Sequence, residues 1–287
     1  MVTVRVWSVA LPIIAALVSL FAAPVAEAAT PRIGVVLMHG KGGSPAGSVA
    51  PLASALELEG LLVLNLEMPW SGRRGYDVDV ATAEAEVQAA VRSLRERGAE
   101  SVFVAGHSQG GLFALHFGGS HAVDGVIAIA PGGNVASPAY REALGPSVEQ
   151  ARQFVASGKG AERVTLRDFE ASRSVYFITT TPAAYLSWFD PDGAMNELAA
   201  ARGMNPAVPV LFIAPTGDYP GLRKVKQQVF EALPKNPSTR LVEPSASHRG
   251  APAASAVVIV DWMRAVASAA RVGAQMIPAR VGLAWSI

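Results

Sequence analysis

The pentapeptide Gly106-His107-Ser108-Gln109-Gly110 has the residue types and spacing of a serine nucleophile on a tight turn. It follows a run typical of a buried strand, Ser101–Ala105, and precedes a run typical of a helix, Gly111–Phe117. A turn in this setting lifts the serine hydroxyl clear of the sheet, and the flanking glycines leave room for a crowded backbone. The pattern therefore predicts that Ser108 is a nucleophile. The alternative is a glycine-rich turn with a capping serine.

A serine hydroxyl is a poor nucleophile at neutral pH unless a base lies within hydrogen-bond reach and a third group orients that base. Of the five histidines, His248 is the best candidate, because it lies in a loop after the last short strand-like run, Thr239–Val242. His107 adjoins the serine and is expected to point away from it across the turn. His116 and His121 are expected to be packing or surface residues.

The acid that orients the base is predicted to be Asp218, which follows the strand-like run Val208–Ala214 and precedes the candidate base in the chain. A side chain at the carboxyl end of a strand is well placed to reach the end of the neighbouring strand. The alternative role for Asp218 is an N-cap of the next helix. Asp190 and Asp192 are the second choices for the acid.

Apolar runs of strand length alternate with segments of helical periodicity, which predicts a parallel sheet with crossover helices. The last predicted helix, 253–270, contains the β-branched run Val257–Val260, which would also fit a strand. The interval 134–206 breaks the alternation and is predicted to be a helical cap over the site. The alternative is a set of helices packed beside the sheet. The other predicted strands and helices lie at 33–38, 61–66, 101–105, 126–130, 208–214 and 239–242, and at 50–59, 82–97, 111–117 and 222–233.

The chain order Ser108, Asp218, His248, with a strand and a helix on either side of the serine, resembles that of the α/β-hydrolase superfamily. The resemblance covers about residues 33–270. It implies an α/β fold with a mostly parallel sheet of about six strands flanked by helices, and a catalytic triad formed by the three residues. It also implies an oxyanion hole made of two backbone N–H groups.

One donor of that oxyanion hole is expected to be the N–H of Gln109, directly after the nucleophile. The other is expected from the loop His39–Gly43 at the end of the first strand, where Lys41 is the first choice and Gly40 or Gly42 are alternatives. Lys41 interrupts the run of glycines that some lipases and esterases carry in this loop. Its side chain is expected either to be solvated or to face an anionic group of the substrate.

The N-terminus has the pattern of a secretory signal peptide, with Arg5, an apolar middle and Ala26-Glu27-Ala28 at the end. We therefore expect a signal peptide at 1–28, a hydrolase domain at 29–270 and a loosely held tail at 271–287, with the protein located in the periplasm or outside the cell. The alternative is a retained membrane anchor. The sequence has no cysteine, so no disulfide supports the fold.

The composition narrows the classes of function. A net charge of +1, without a Lys/Arg stripe, argues against a nucleic-acid partner, and 51% hydrophobic residues exclude a disordered chain. No metal-ligand spacing is evident, and no cofactor is implied. We expect hydrolysis of a small-molecule or lipid-like carboxylic ester, with membrane contact only if the N-terminal segment is retained. The alternatives are a thioesterase, an acyltransferase, a peptidase or a non-catalytic binding protein on the same fold.

Overall fold

The computed structural model of the protein describes residues 31–170 and 174–275. The predicted signal peptide at 1–28 and the end of the predicted tail, 276–287, lie outside the described residues. None of the described helices is long and apolar enough to cross a bilayer.

The strands form the centre of the fold. In chain order they are β1 (Ile33–Met38), β2 (Leu62–Leu66), β3 (Ser101–His107), β4 (Gly125–Ile129), β5 (Val164–Glu170), β6 (Ser174–Thr180), β7 (Val210–Ile213) and β8 (Arg240–Val242). Six of them form one parallel sheet in the order β2-β1-β3-β4-β7-β8. Every residue of β1, β3, β4 and β7 is buried, as expected of parallel strands covered on both faces. The predicted α/β fold with six parallel strands is confirmed.

The helices cover both faces of this sheet. In chain order they are α1 (Ala50–Leu58), α2 (Val80–Glu96), α3 (Gln109–Ser120), α4 (Pro138–Ala156), α5 (Pro182–Phe189), α6 (Glu197–Arg202), α7 (Pro220–Ala232), α8 (Ala251–Ala254) and α9 (Ala256–Gln275). One face packs against α2 and α3 through side chains such as Val87 and Leu112. The other packs against α1 and α9 through side chains such as Leu52 and Ile259. The two layers leave the carboxyl ends of the strands available for a site.

The interval 134–206 contains helices, as predicted, but also an antiparallel hairpin of β5 and β6 that the sequence pattern does not predict. The inward positions of β5 include Leu166, which is apolar, and Asp168, which is fully buried. A carboxylate on the buried face interrupts the alternation of apolar and polar residues by which a half-buried strand is recognised. The described residues of the insertion therefore form three helices and one hairpin.

The last helix, predicted at 253–270 with a strand as the alternative, is α9 and extends from Ala256 to Gln275. Its β-branched run is split between environments, because Val257 is 76% exposed whereas Ile259 and Val260 are buried. Ile259 and Val260 thus lie on the buried face of the helix and Val257 on its exposed face, as expected of an amphipathic helix. The helix also continues past Ala270 into the segment that is expected from the sequence to be a loose tail.

The turn between β3 and α3 is the most crowded point of the backbone. A Cβ on Gly106 would lie 2.1 Å from the carbonyl oxygen of Gly110, and a Cβ on Gly110 would lie 2.7 Å from the carbonyl oxygens of Met38 and His39. These neighbours are main-chain atoms, which cannot rotate away as a side chain can. Only glycine fits at either position.

We expect Gly106→Ala to lower the free energy of unfolding by more than about 3 kcal/mol, because the new methyl group overlaps the main chain. Gly221→Ala in α7 is the matched control, since a Cβ there meets no atom within 4 Å. It should stabilise the protein by about 0.5 kcal/mol through its higher helix propensity. Urea unfolding of both variants checks this. A Gly106→Ala protein as stable as the native one would contradict the crowding argument.

Candidate active site

Ser108 lies between β3 and α3 with φ 56° and ψ −118°, a backbone conformation that non-glycine residues rarely adopt. Its N–H donates to the carbonyl of Ile129 at 2.9 Å, which ties the turn to the end of β4. Its own carbonyl accepts from the N–H groups of Leu112 and Gly132 at 3.1 and 3.2 Å. The conformation is thus held from both sides, and it places the side chain at the carboxyl edge of the sheet.

The structure brings the side chains of His248 and Asp218 together. The imidazole Nδ1 lies 2.7 Å from Oδ1 of Asp218, and the two side chains are 9% and 4% exposed. Gly217 and Ser247, which precede them, form a parallel bridge that fixes the two loops in register. Because the carboxylate can only accept, Nδ1 carries the proton and Nε2 of the neutral ring is left as an acceptor.

The same histidine is held by a ring contact with Tyr219. The ring of Tyr219 packs against the ring of His248 with 4.5 Å between centroids, and the backbone N–H of Tyr219 donates to Oδ1 of Asp218 at 2.7 Å. Ser108 and His248 line the same cavity. Among the described residues the serine hydroxyl makes no hydrogen bond in this conformation. A nucleophile–base hydrogen bond is often loose in the absence of substrate and tightens on binding.

The second-choice acids lie elsewhere. Asp190 accepts a hydrogen bond from Arg152 at 3.0 Å and another from the N–H of Asp192 at 3.0 Å. Neither aspartate is among the residues that line the cavity of Ser108 and His248. The structure therefore favours Asp218 as the partner of the histidine.

His107 does not point away from the site, contrary to the expectation from the sequence. Its ring packs against that of His248 with 4.8 Å between centroids, and its Nε2 donates to the backbone carbonyl of His248 at 2.9 Å. Burial, followed by repulsion from the neighbouring His248, lowers the pKa of His107 to about 4. It is a neutral residue that positions the loop of His248.

The loop after β1 lies against the nucleophile. A Cβ on Gly40 would be 3.1 Å from the Cβ of Ser108. His39 holds the loop, since its Nε2 accepts from the N–H of Met68 at 3.0 Å and its Nδ1 donates to the carbonyl of Gly40 at 2.8 Å. A glycine at this position lets the loop approach Ser108 closely, since a Cβ would be in tight contact with the serine side chain.

The predicted oxyanion donors differ in what they already bind. Within the described part of the chain, the N–H groups of Gln109, Gly40 and Lys41 donate to no acceptor. The N–H of Gly42 donates to the carbonyl of Trp70 at 2.8 Å and is therefore engaged. Gly42 is thus the least suitable of the alternatives, and Gln109 and Lys41 keep free donors beside the nucleophile.

The Lys41 side chain is neither solvated nor open to an anionic substrate, which corrects both expectations. Its Nζ lies 2.5 Å from Oδ1 of Asp168 and 3.2 Å from the carbonyl of Phe169 on the hairpin of the insertion. The hydroxyl of Tyr176 donates to the other oxygen of Asp168 at 2.6 Å. Burial alone would lower the pKa of Lys41, but the attraction of Asp168 outweighs it, and the pKa is raised.

The nucleophile, the base and the loop after β1 line one cavity of about 1130 Å³. Its walls include the loop after β1, the nucleophile turn, the start of α7 and the insertion. The insertion supplies Tyr140, Phe169 and Glu197.

The sequence does not predict Glu197, Tyr219 or Asp168 as site residues, because single acidic or aromatic residues between helical segments carry no spacing signal. No described group of three or more His, Asp or Glu side chains is arranged to hold a metal ion.

We expect Asp168→Asn to lower the free energy of unfolding by about 3 kcal/mol, because it leaves the buried ammonium of Lys41 without a counter-charge. The same substitution should cost much less when Lys41 is already methionine. Lys226→Met, at the partly exposed pair with Glu243, is the control and should cost under about 1 kcal/mol. Denaturant unfolding of these variants is the measurement. Equal costs of Asp168→Asn in both backgrounds would rule out the ion pair as the source.

A second prediction concerns acid stability. In the unfolded chain His107 binds a proton near pH 6.5, whereas in the folded protein it does so only near pH 4. Stability is therefore lost as the pH falls through this window, by up to about 3 kcal/mol. His107→Gln keeps an N–H donor for the carbonyl of His248 but cannot titrate. Its stability should fall less between these pH values in urea unfolding, and parallel curves for both proteins would show that His107 is not responsible.

The chain matches a known protein family over most of its length. The model of the alpha/beta hydrolase family matches residues 35–276. A search of curated protein sequences finds no match.

Many solved structures share the fold. A monoacylglycerol lipase from Paleococcus ferrophilus is similar with a TM-score of 0.57 and 21% identity, over 81% of this chain and 94% of the lipase. The alpha/beta hydrolase GrgF from Penicillium sp. sh18 has a TM-score of 0.63 and 16% identity, over 84% and 91%. Est1E from Butyrivibrio proteoclasticus, determined with ferulic acid bound, has a TM-score of 0.57 and 14% identity, over 83% and 91%. At such low identity these likenesses show the fold, and together with the family match over 35–276 they establish that this chain belongs to the alpha/beta hydrolase family.

Proposed function

We propose that the protein is a serine hydrolase that cleaves carboxylic esters through an acyl-enzyme on Ser108. The observation that carries the proposal is the hydrogen bond between Asp218 and Nδ1 of His248, at the edge of the cavity that Ser108 lines. A buried carboxylate on Nδ1 fixes the tautomer that a general base needs. The strained turn presents the serine at the N-terminus of α3, where backbone donors favour negative charge.

The first half of the reaction forms the acyl-enzyme. Nε2 of His248 takes the proton of the Ser108 hydroxyl as its oxygen attacks the ester carbonyl, and Asp218 stabilises the imidazolium that results. The carbonyl oxygen becomes an oxyanion, which the N–H groups of Gln109 and Lys41 are free to bind. The imidazolium then gives its proton to the leaving alcohol as the C–O bond breaks.

The second half releases the acid. Nε2 of His248 takes a proton from water, the hydroxide attacks the acyl carbonyl, and the same N–H groups bind the second oxyanion. The C–O bond to Ser108 breaks and the proton returns to the serine oxygen. Tyr219 positions the base by packing against the face of its ring, and His107 does so by donating to the backbone carbonyl of His248.

Fluorophosphonate labelling tests the nucleophile directly. We expect modification of the native protein only at Ser108, mapped by mass spectrometry, and none of Ser108→Ala. Labelling of Ser108→Ala to the native extent, or no labelling of a folded native protein, would reject the proposal.

The acid is tested by a matched pair of variants. Asp218→Asn should slow para-nitrophenyl ester turnover on the order of ten-thousandfold, because it favours the wrong tautomer of the base. Asp190→Asn, which breaks a partly exposed contact with Arg152 away from the cavity, should keep turnover within about threefold of native. The reverse order of effects would assign the acid role to Asp190.

A further inference from the structure

Glu197 is the one acidic side chain of α6, and it is 2% exposed on the wall of the cavity. Among the described residues, no donor lies within hydrogen-bond distance of its carboxyl oxygens, and it forms no ion pair. Lys41 is committed to Asp168, and Lys224 and Arg249, which also line the cavity, do not reach Glu197. Its carboxyl oxygens are not fully enclosed and keep accessible surface on the side of the cavity. A carboxyl group that is so poorly hydrated and has no protein partner is costly, which marks this part of the wall as a candidate binding position.

The protonation state of this group follows from its surroundings. Burial raises the pKa of Glu197 to about 8, and no neighbouring charge contributes to the change. At neutral pH the group is therefore mostly a neutral carboxylic acid. In that form it offers one O–H donor and a carbonyl acceptor to the cavity.

Asn134 lies beside Glu197 on the same wall. Its Oδ1 accepts from the N–H of Ala136 at 3.1 Å and from the N–H of Glu197 at 3.3 Å, so the orientation of its amide is set. The Nδ2 group is left as a donor. Tyr140, whose hydroxyl has no partner among the described residues, also lines the cavity. The groups on this wall that have no hydrogen-bond partner among the described residues therefore include both donors and acceptors.

This mixture distinguishes between possible ligands. An ammonium group can only donate, so it would leave the Nδ2 donor of Asn134 unsatisfied. A carboxylate can only accept, so it would leave the carbonyl acceptor of the neutral Glu197 without a donor. A hydroxyl group both donates and accepts, and it matches Glu197 and Asn134 without a change in charge.

We propose that Glu197 and Asn134 form a subsite that binds a hydroxyl group of the substrate, so that the preferred ester carries a hydroxyl remote from its reacting carbonyl. This rests on the proposed function of Ser108 for its place in catalysis, but not for the binding itself. A site built to bind a hydroxyl discriminates against the analogue that lacks it, because its own polar groups are then left unpaired. Glu197 would be a specificity-determining residue.

Turnover is tested with matched esters. On the acyl side, para-nitrophenyl esters of ω-hydroxyalkanoic acids from butanoic to octanoic are compared with the unsubstituted and ω-amino esters of equal length. On the alcohol side, hexanoate esters of ω-hydroxyalkanols are compared with those of the plain alkanols. We expect kcat/KM to favour the hydroxyl-bearing member at least tenfold in one of the two series, which identifies the side that reaches Glu197.

The variants assign this preference to the side chain. Glu197→Leu should reduce the hydroxyl-to-plain ratio of kcat/KM about tenfold or more, whereas Glu197→Gln, which still donates and accepts, should keep most of it. Glu142→Leu makes the same change at an exposed position of α4 and should leave the ratio as in the native protein. An equal fall for both esters in Glu197→Leu would mean a structural role and would overturn the proposal.

Binding is measured apart from catalysis in Ser108→Ala. We expect calorimetric titration with ω-hydroxyalkanamides to give a Kd at least tenfold below that of the plain amides, and the difference to be lost when Glu197→Leu is added. Selective binding without any native ester turnover would support the subsite while rejecting the proposed reaction. No selectivity in binding or turnover, or tighter binding of the ω-amino amide, would overturn the hydroxyl subsite.

Discussion

The left-handed backbone of Ser108 is the constraint around which the site is arranged. A serine at φ 56° is held by main-chain hydrogen bonds from β4 and α3, and the strands on either side must then approach within contact of the turn. This approach requires Gly106 and Gly110, where a methyl group would overlap the main chain, and Gly40 eases it, since a methyl group there would be in tight contact with the Cβ of Ser108. In the sheet, β3 lies between β1 and β4, so the ends of all three strands meet at the edge where Ser108 lies.

The ion pair of Lys41 and Asp168 connects that edge to the insertion. The lysine leaves the loop whose backbone lies against Ser108, and the aspartate belongs to a hairpin that makes no strand pairing with the main sheet among the described residues. With the faces of Tyr140 and Phe189 within 5.4 Å and 5.3 Å of the ammonium, the pair is enclosed by aromatic rings. A loop that presents a backbone donor is thereby fixed through its own side chain, which a fourth glycine could not provide.

These contacts also explain which features of the protein can be predicted from its sequence and which cannot. The apolar strands and the chain order of Ser108, Asp218 and His248 are patterns of residue type and spacing, so the sequence alone predicts them. Asp168 lies 127 residues from Lys41 in the chain, so no local pattern of residues predicts their contact. Because Asp168 is a charged residue at an inward position of β5, it also breaks the alternation from which that strand would be predicted. Glu197 is the first residue of a six-residue helix, where an acidic residue is typical of a solvated helix start, although the fold buries it. What the sequence does not predict is which polar side chains the fold encloses.

Those enclosed groups meet the cost of burial in different ways. His107 is neutral and donates its N–H to a carbonyl, and the charges of Lys41 and Asp168 compensate each other. Glu197 has neither solution among the described residues, although a leucine of similar size would fill its place without a desolvation penalty. Since the group faces the cavity of Ser108, the partner that would satisfy it is one that enters the cavity. A neutral hydroxyl meets that requirement at the least electrostatic cost.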